Sequence, residues 1–151
     1  MRRAILILLF CFVMCAAASA ATGKVIKVLP QFLDLKGRSA ISPSLYDRDA
    51  YQASLRQHTN NISGMRFVVQ WKAGGASELK LRVEIRGVAQ GGGLPPNTVL
   101  ERPVKPAGFF SHWAYLPLTG NDYKRIGEVT AWRATLWDGD KLISEQKSFL
   151  W

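Results

Sequence analysis

The sequence predicts a mainly β protein, a sandwich of two antiparallel sheets with one short helix. Apolar residues alternate with charged ones, most clearly over residues 79–86, and a period of two is typical of a strand with one buried face. Turn-forming sequences separate about seven such segments, whereas only residues 43–57 carry apolar residues at helical spacing. Short alternating strands between turns, with a single helix, favour two packed sheets.

The first strand and the helix are predicted from proline and serine positions. Residues 24–35 are mostly apolar and predict an edge strand that Pro30 kinks or breaks, because proline has no N–H to donate to a neighbour. Ser42 followed by Pro43 is typical of an N-cap and a first helical residue. We therefore expect the helix to span about 43–57.

The next two strands are predicted at residues 65–72 and 79–86, where the alternation is strict. The small residues at 73–77 predict a hairpin loop between them. Such a hairpin places five basic residues on one outward face, where they keep the sheet soluble or attract a polyanion. This candidate basic stripe consists of Arg66, Lys72, Lys80, Arg82 and Arg86.

The second half begins with a loop rich in glycine and proline at residues 87–108, which leaves room for one short strand at 98–102. Asp138-Gly139-Asp140 is typical of a hairpin turn, because Asp-Gly suits turns whose central residues have positive φ. The other elements predicted here are strands at 109–118, 129–137 and 142–151 and a polar turn at 120–122.

The amino-terminal residues 1–20 are predicted to be a cleaved secretory signal peptide. A positively charged start precedes an apolar run at 4–13 and small residues at 16–21. A membrane-spanning helix needs about 20 apolar residues, and this run is roughly half as long. Lipid attachment at Cys15 stays an alternative, although Met14 is not the small residue expected before a lipidated cysteine.

Removal of this segment leaves residues 21–151 as a single domain, exported to the periplasm or the medium. Both cysteines, Cys11 and Cys15, are lost with it, which excludes disulfides, thiolate metal ligands and cysteine nucleophiles. The net charge falls from +9 to +7 because two arginines are removed. A basic protein attracts anionic partners, but its basic residues are spread along the chain, so nucleic acid is not an expected partner.

Residue patterns for catalysis and metal binding are missing from the sequence. The two histidines lie in no recognisable motif, and no set of ligands has the close spacing of a zinc site. The close acidic pairs, Asp47 with Asp49 and Asp138 with Asp140, are explained by a helix amino terminus and a hairpin turn. No serine occupies a G-x-S-x-G elbow. We therefore predict no catalytic, cofactor-binding or metal-ligating residue.

The strand at 109–118 is apolar or aromatic on both faces, which is unusual for an antiparallel sheet. Phe109, Trp113 and Tyr115 share one face, and Phe110 shares the other with Ala114, Leu116 and Leu118. One face is expected to pack in the core, and the other is either covered by a helix or loop or exposed for binding. Residues 132–137 show the same conflict between their two faces. The candidate binding surface comprises Phe109, Trp113, Tyr115, Arg133 and Trp137.

Strand number, domain size and the closing hairpin resemble immunoglobulin-like and fibronectin type III-like domains of secreted proteins. The resemblance covers nearly all of residues 21–151 and implies an immunoglobulin-like antiparallel β-sandwich. The immunoglobulin cysteine pair is absent, and Tyr123 resembles the tyrosine corner only loosely, because it lies six positions before Val129. No functional residue carries over, since fold does not fix function.

These observations predict an exported, non-enzymatic binding or structural domain that acts on an envelope protein, a peptide or a polymer. The first alternative is a carbohydrate-binding module that uses Trp113, Tyr115 or Trp137. The second is a small secreted hydrolase with a site assembled from distant residues. No cofactor is expected, and the mature chain is not expected to span a membrane.

Overall fold

The computed structural model describes residues 21–89, 91–106 and 108–151. The predicted signal peptide, with Cys11 and Cys15, lies outside these residues. Within the described residues, no helix combines the length and the apolar character needed to cross a membrane.

The described chain is mainly β and forms two antiparallel sheets. The elements are β1 (Thr22–Asp34), α1 (Leu45–Gln57), a 3-10 turn (Thr59–Asn61), β2 (Ile62–Gly74), β3 (Leu79–Val88), β4 (Thr98–Pro103), β5 (Gly108–Thr119), α2 (Gly120–Ile126), β6 (Glu128–Asp138) and β7 (Lys141–Lys147). A three-stranded sheet has the order β1-β2-β5, and a four-stranded sheet has the order β4-β3-β6-β7.

The core lies between the two sheets and follows directly from the period-two patterns. In β3 all four apolar residues of the alternation, from Leu79 to Ile85, are buried. In β2 the side chains of Phe67, Val69 and Trp71 are buried in the same cluster. Burial of alternate residues on both sheets is the arrangement of a β-sandwich.

Prolines occupy both edge strands of the three-stranded sheet. The predicted edge position of the first strand is confirmed, but β1 runs unbroken through Pro30, which lies opposite Phe67. Pro117 occupies the other edge strand, opposite Arg66. An edge strand accommodates proline where the missing N–H points away from the sheet.

The segment at residues 73–77 is not the predicted hairpin. Strand β2 already pairs with β1 on one side and β5 on the other, so β3 has no free edge of β2 to join. The loop instead carries the chain from one sheet to the other. The predicted hairpin at Asp138–Asp140 is confirmed, because β6 and β7 pair antiparallel across Gly139.

Both helices differ from the sequence prediction in detail. Helix α1 begins at Leu45, and its N-cap is Ser44, whose hydroxyl accepts a hydrogen bond from the Asp47 N–H at 3.4 Å. Ser42 is therefore not the cap; its hydroxyl donates to the Asp47 carboxylate at 2.8 Å. The predicted polar turn at 120–122 is the first turn of helix α2, which buries Ile126.

Helix α2 ends at a close approach between two backbone segments. Gly127 has φ +68, and a Cβ there would overlap the carbonyl oxygen of Val88. A Cβ at Gly87, at the end of β3, would likewise overlap the carbonyl oxygen of Ile126. Two glycines thus allow α2 to end directly against the end of β3.

We expect Gly127→Ala to destabilise the fold more than Gly139→Ala. Both glycines have positive φ, but a Cβ at Gly139 meets no atom within 4 Å. Gly139→Ala therefore adds only backbone strain, about 1–2 kcal/mol, whereas Gly127→Ala adds a steric clash as well. Urea unfolding of the two variants measures the difference, and equal midpoints would show that the close approach is not rigid.

Candidate binding surface

Within residues 21–89, 91–106 and 108–151, no three His, Cys, Asp or Glu side chains are placed to hold a metal ion. The Asp138 carboxylate accepts hydrogen bonds from the N–H groups of Ser77 and Glu78 at 3.1 and 2.9 Å. This carboxylate therefore anchors the loop between the sheets.

The structure divides the residues of the candidate binding surface between two sheets. Trp113 and Tyr115 lie on β5 and point outward from the three-stranded sheet. Arg133 and Trp137 lie on β6 and point outward from the four-stranded sheet. The Phe109 side chain lies outside the described part of the structure. The predicted residues therefore do not form one surface.

The candidate basic stripe is divided in the same way. Its members from β2 lie on the outside of the three-stranded sheet and its members from β3 lie on the outside of the four-stranded sheet, because β2 and β3 belong to different sheets. The first group is Arg66 and Lys72; the second is Lys80, Arg82 and Arg86.

The four-stranded outer face pairs its cations with carboxylates. The Glu101 carboxylate lies 2.6 Å from the Arg82 guanidinium and 3.5 Å from the Lys80 ammonium. The hydrogen bond from Arg82 lowers the pKa of Glu101. Arg133 bridges Glu84 at 2.8 Å and Glu145 at 3.6 Å.

Guanidinium groups also lie over the tryptophans of this face. The Arg82 guanidinium lies 5.3 Å from the Trp137 ring centre, and the Trp137 Nε1–H donates to the Thr135 hydroxyl at 2.8 Å. Trp151 lies beneath Arg86 at 3.9 Å and Arg133 at 5.2 Å. The rings and charges of the four-stranded face thus interact mainly with each other.

The three-stranded outer face, in contrast, leaves aromatic rings open to solvent. Trp113 and Tyr115 are each 46% exposed, whereas Ala114, Leu116 and Leu118 between and beyond them are buried. The strand is therefore not covered on both faces. We call Trp113 and Tyr115 the aromatic pair.

Phe110 does not share a face with Ala114 as the alternation predicts, since Phe110 is 80% exposed and Ala114 is buried. Trp71 lies opposite His112, but Ala73 lies opposite Gly108, so residues 109–111 form a bulge beside Lys72. A bulge breaks the alternation of a strand, which the sequence pattern did not reveal.

The charges in the middle of the three-stranded outer face, around the aromatic pair, have one sign. The register places Lys24, Lys27, Arg66 and Lys72 on this face, because they alternate with the buried residues of β2 or lie opposite its outward residues. Asp34, at the end of β1 and ion-paired with Arg38, is the one acidic residue of β1, β2 and β5. The aromatic pair is thus surrounded by positive charge.

Arg66 is held in a fixed position beside the aromatic pair. Its Nε donates to the Gln31 side-chain oxygen at 3.0 Å, and its Nη2 donates to the Ser39 hydroxyl at 2.5 Å. Its guanidinium carbon lies 5.0 Å from the centre of the Tyr115 ring. This contact is a cation–π interaction.

Ser39 is positioned by the turn that follows β1. The Asp34 carboxylate accepts hydrogen bonds from the N–H groups of Lys36 and Arg38 and from the Tyr51 hydroxyl, at 2.7–2.8 Å. The Arg38 guanidinium adds an ion pair at 2.9 Å. These hydrogen bonds, above all the one from the Arg38 N–H, hold the pKa of Asp34 well below its usual range.

Gln52 joins helix α1 to the same turn. Its side-chain oxygen accepts from the Phe32 N–H at 2.8 Å, and its side-chain nitrogen donates to the carbonyls of Phe32 and Ser39 at 3.0 and 2.8 Å. A buried glutamine satisfied by backbone groups fixes the helix against β1. The sequence pattern does not reveal this cluster, although Asp34 before Gly37 is a turn signal.

We expect Asp34→Asn to lower the free energy of unfolding at neutral pH and to remove the part of it that is lost in acid. A carboxyl with a lowered pKa in the folded state stabilises the fold fully above its unfolded pKa of about 4 and loses this contribution as the pH falls. The free energies of unfolding of wild type and variant should therefore differ at pH 7 and converge towards pH 2. Urea unfolding at several pH values measures this, with exposed Asp49→Asn as control.

A constant difference between wild type and Asp34→Asn across this pH range would contradict the lowered pKa of Asp34.

The chain was also compared with known proteins. No protein-family model, no curated protein and no solved structure matches it. The functional argument therefore depends on the placement of its own residues, above all on the open aromatic pair and the uncompensated cations around it.

Proposed function

We propose that this chain is an exported, non-enzymatic binding domain that holds a polymer of the cell envelope against the outer face of its three-stranded sheet. The observation that carries this proposal is the exposure of Trp113 and Tyr115 side by side on one strand. Exposed aromatic patches of this kind mark interaction sites.

The geometry of the aromatic pair suits a ligand that lies along the strand. Residues two apart on a strand point to the same side and are separated by about 7 Å. Gln70 lies opposite Trp113 in the neighbouring strand, and its amide donates to the Ser111 hydroxyl at 3.1 Å. Rings and amides on one flat surface offer stacking together with hydrogen bonds.

The edges of this sheet are less suited to binding than its face. An extended peptide that adds a strand needs free backbone N–H and C=O groups. On β5 the Tyr115 carbonyl already accepts a hydrogen bond from the Arg102 guanidinium at 2.8 Å, and Pro117 has no N–H. On β1 the Val25 N–H donates to the Ser144 hydroxyl at 3.0 Å, and Pro30 lacks a donor. These features favour a polymer on the face over a peptide on the edge.

We also propose that the sandwich is immunoglobulin-like. Strands 1, 2 and 5 form one sheet and strands 4, 3, 6 and 7 the other. Immunoglobulin constant domains have strands A, B, E and D in one sheet and C, F and G in the other. With strands 1 to 7 taken as A to G, the present order agrees with this scheme except that the fourth strand joins the third strand instead of the fifth.

We expect the double variant Trp113→Ala/Tyr115→Ala to lose binding to isolated envelope polymer. Stacking on one ring contributes about 1–3 kcal/mol, and about 1.4 kcal/mol is tenfold in affinity, so the loss should be at least about tenfold. Co-sedimentation of the purified mature domain with the polymer measures it. Trp137→Ala, on the opposite face, is the matched control.

Equal loss of binding in the Trp137→Ala control would show that the four-stranded face binds instead. Binding that protease treatment of the envelope material abolishes would identify a protein partner and contradict the polymer proposal.

Export is tested separately. We expect the chain recovered from the periplasm or the medium to begin at Ala21, because cleavage after Ala18-Ser19-Ala20 removes the predicted signal peptide. Amino-terminal sequencing of the recovered protein measures this. An intact Met1 terminus in the cytoplasmic fraction would contradict export.

A further inference from the structure

We infer that the polymer is an acidic polysaccharide, a chain of sugar rings that carry carboxylate or sulfate groups. The inference rests on the proposed function of the three-stranded outer face and names its ligand class. The two observations that carry it are the single sign of charge in the middle of this face and the open ring of Trp113.

The contrast between the two outer faces is the first step. On the four-stranded face Glu84, Glu101 and Glu145 each form an ion pair with a neighbouring cation. On the three-stranded face Lys24, Lys27 and Lys72 are exposed, and none forms an ion pair with any other described residue. Like charges on one face repel each other, so a polyanion that neutralises them is favoured.

The register brings these cations close to the rings. Lys27, Gln70 and Trp113 face each other across β1, β2 and β5. Because neighbouring strands lie about 4.8 Å apart, Lys27 and Trp113 are separated by about 10 Å at their backbones. Lys72 follows Gln70 by two residues on the same side. Such distances are comparable to the Debye length of about 8 Å at physiological salt, so the lysines act on anionic groups of a chain stacked on Trp113.

The two rings of the aromatic pair differ in what covers them. Tyr115 already has the Arg66 guanidinium at 5.0 Å. Trp113 has no cation over its ring within the part of the chain that the structure describes. Trp113 is therefore the ring available for stacking against the apolar C–H face of a sugar.

The kind of cation favours separate acidic groups over a phosphodiester backbone. Arginine recognises phosphate through a planar fork of N–H donors, whereas lysine is a point charge. Arg66 is the one arginine of β1, β2 and β5, and its Nε and Nη2 already donate hydrogen bonds to Gln31 and Ser39. The exposed cations are lysines, which suit acidic groups spaced along a sugar chain.

The test compares polygalacturonate with the same polymer after methyl esterification of its carboxylates, which keeps the sugar backbone and removes the charge. We expect the mature domain to bind polygalacturonate, alginate or dextran sulfate in affinity electrophoresis. We expect at least tenfold weaker binding to the esterified polymer and weaker binding as salt rises from 50 to about 300 mM, because salt screens exposed charges.

Two variants with the same loss of net charge locate the site. Lys27→Gln/Lys72→Gln is expected to weaken binding to the acidic polymer at least tenfold. The matched control Lys105→Gln/Lys141→Gln, which changes exposed lysines elsewhere, should weaken it less than threefold. Trp113→Ala should also weaken it at least tenfold. Circular dichroism and urea midpoints close to wild type confirm that all variants are folded.

The outcomes separate this inference from the proposed function. Equal binding to the esterified polymer that still requires Trp113 overturns the acidic ligand and leaves the polymer-binding function standing. Binding to envelope polymer without binding to polygalacturonate, alginate or dextran sulfate also overturns the acidic ligand and leaves the polymer-binding function standing. If duplex DNA or anionic vesicles bind equally well and Trp113→Ala has no effect, the surface is a general polyanion site and the inference is wrong. Failure to bind any polymer overturns both.

Discussion

The position of β2 between β1 and β5 is the constraint on which the rest of the structure depends. A strand paired on both sides has no backbone groups left for a third neighbour, so β3 begins a second sheet. The four-residue connection at 75–78 then places the outward residues of consecutive strands on opposite sides of the molecule. The pairing of β2 on both sides therefore determines which charges and rings share a surface.

The two outer faces differ in how their charges and aromatic rings are arranged. The four-stranded face combines cations with glutamates and covers Trp137 and Trp151 with guanidinium groups. On the three-stranded face the exposed lysines form no ion pair with any described residue, and the Trp113 ring is open to solvent. Arg66 is fixed beside Tyr115 by a relay that begins at Asp34 and passes through the turn to Ser39. The fixed position of Arg66 beside Tyr115 agrees with the proposed binding of a ligand to this face.

Local patterns in the sequence were sufficient to predict most strands and the residues that share one face of a strand, such as Trp113 with Tyr115 and Arg133 with Trp137. Alternation is a local property, and it determines which residues share a face of a strand. Pairing between strands is not local. The Gly74-Gly75 connection suits a hairpin and a crossover equally well, so the basic stripe was predicted as one surface and found as two.

Other differences also come from contacts between distant residues. The cluster around Asp34 depends on Tyr51, 17 residues away, and no local pattern indicates that they meet. Helix α2 was predicted as a turn because Gly120-Asn121-Asp122 is typical of turns; burial of Ile126 against the core favours the helix. The bulge at residues 109–111 moved Phe110 to solvent without any proline or glycine inside it to mark it.

Pro30 and Pro117 have a consequence for the behaviour of many copies at once. A polymer with repeated sites gathers its binding proteins at high local density, where unprotected sheet edges would join into fibrils. In this chain both edges of the sheet that carries the aromatic pair contain a proline, and a side-chain hydrogen bond occupies a backbone group on each. If the proposed polymer is bound, copies that gather on it are therefore protected against pairing edge to edge through this sheet.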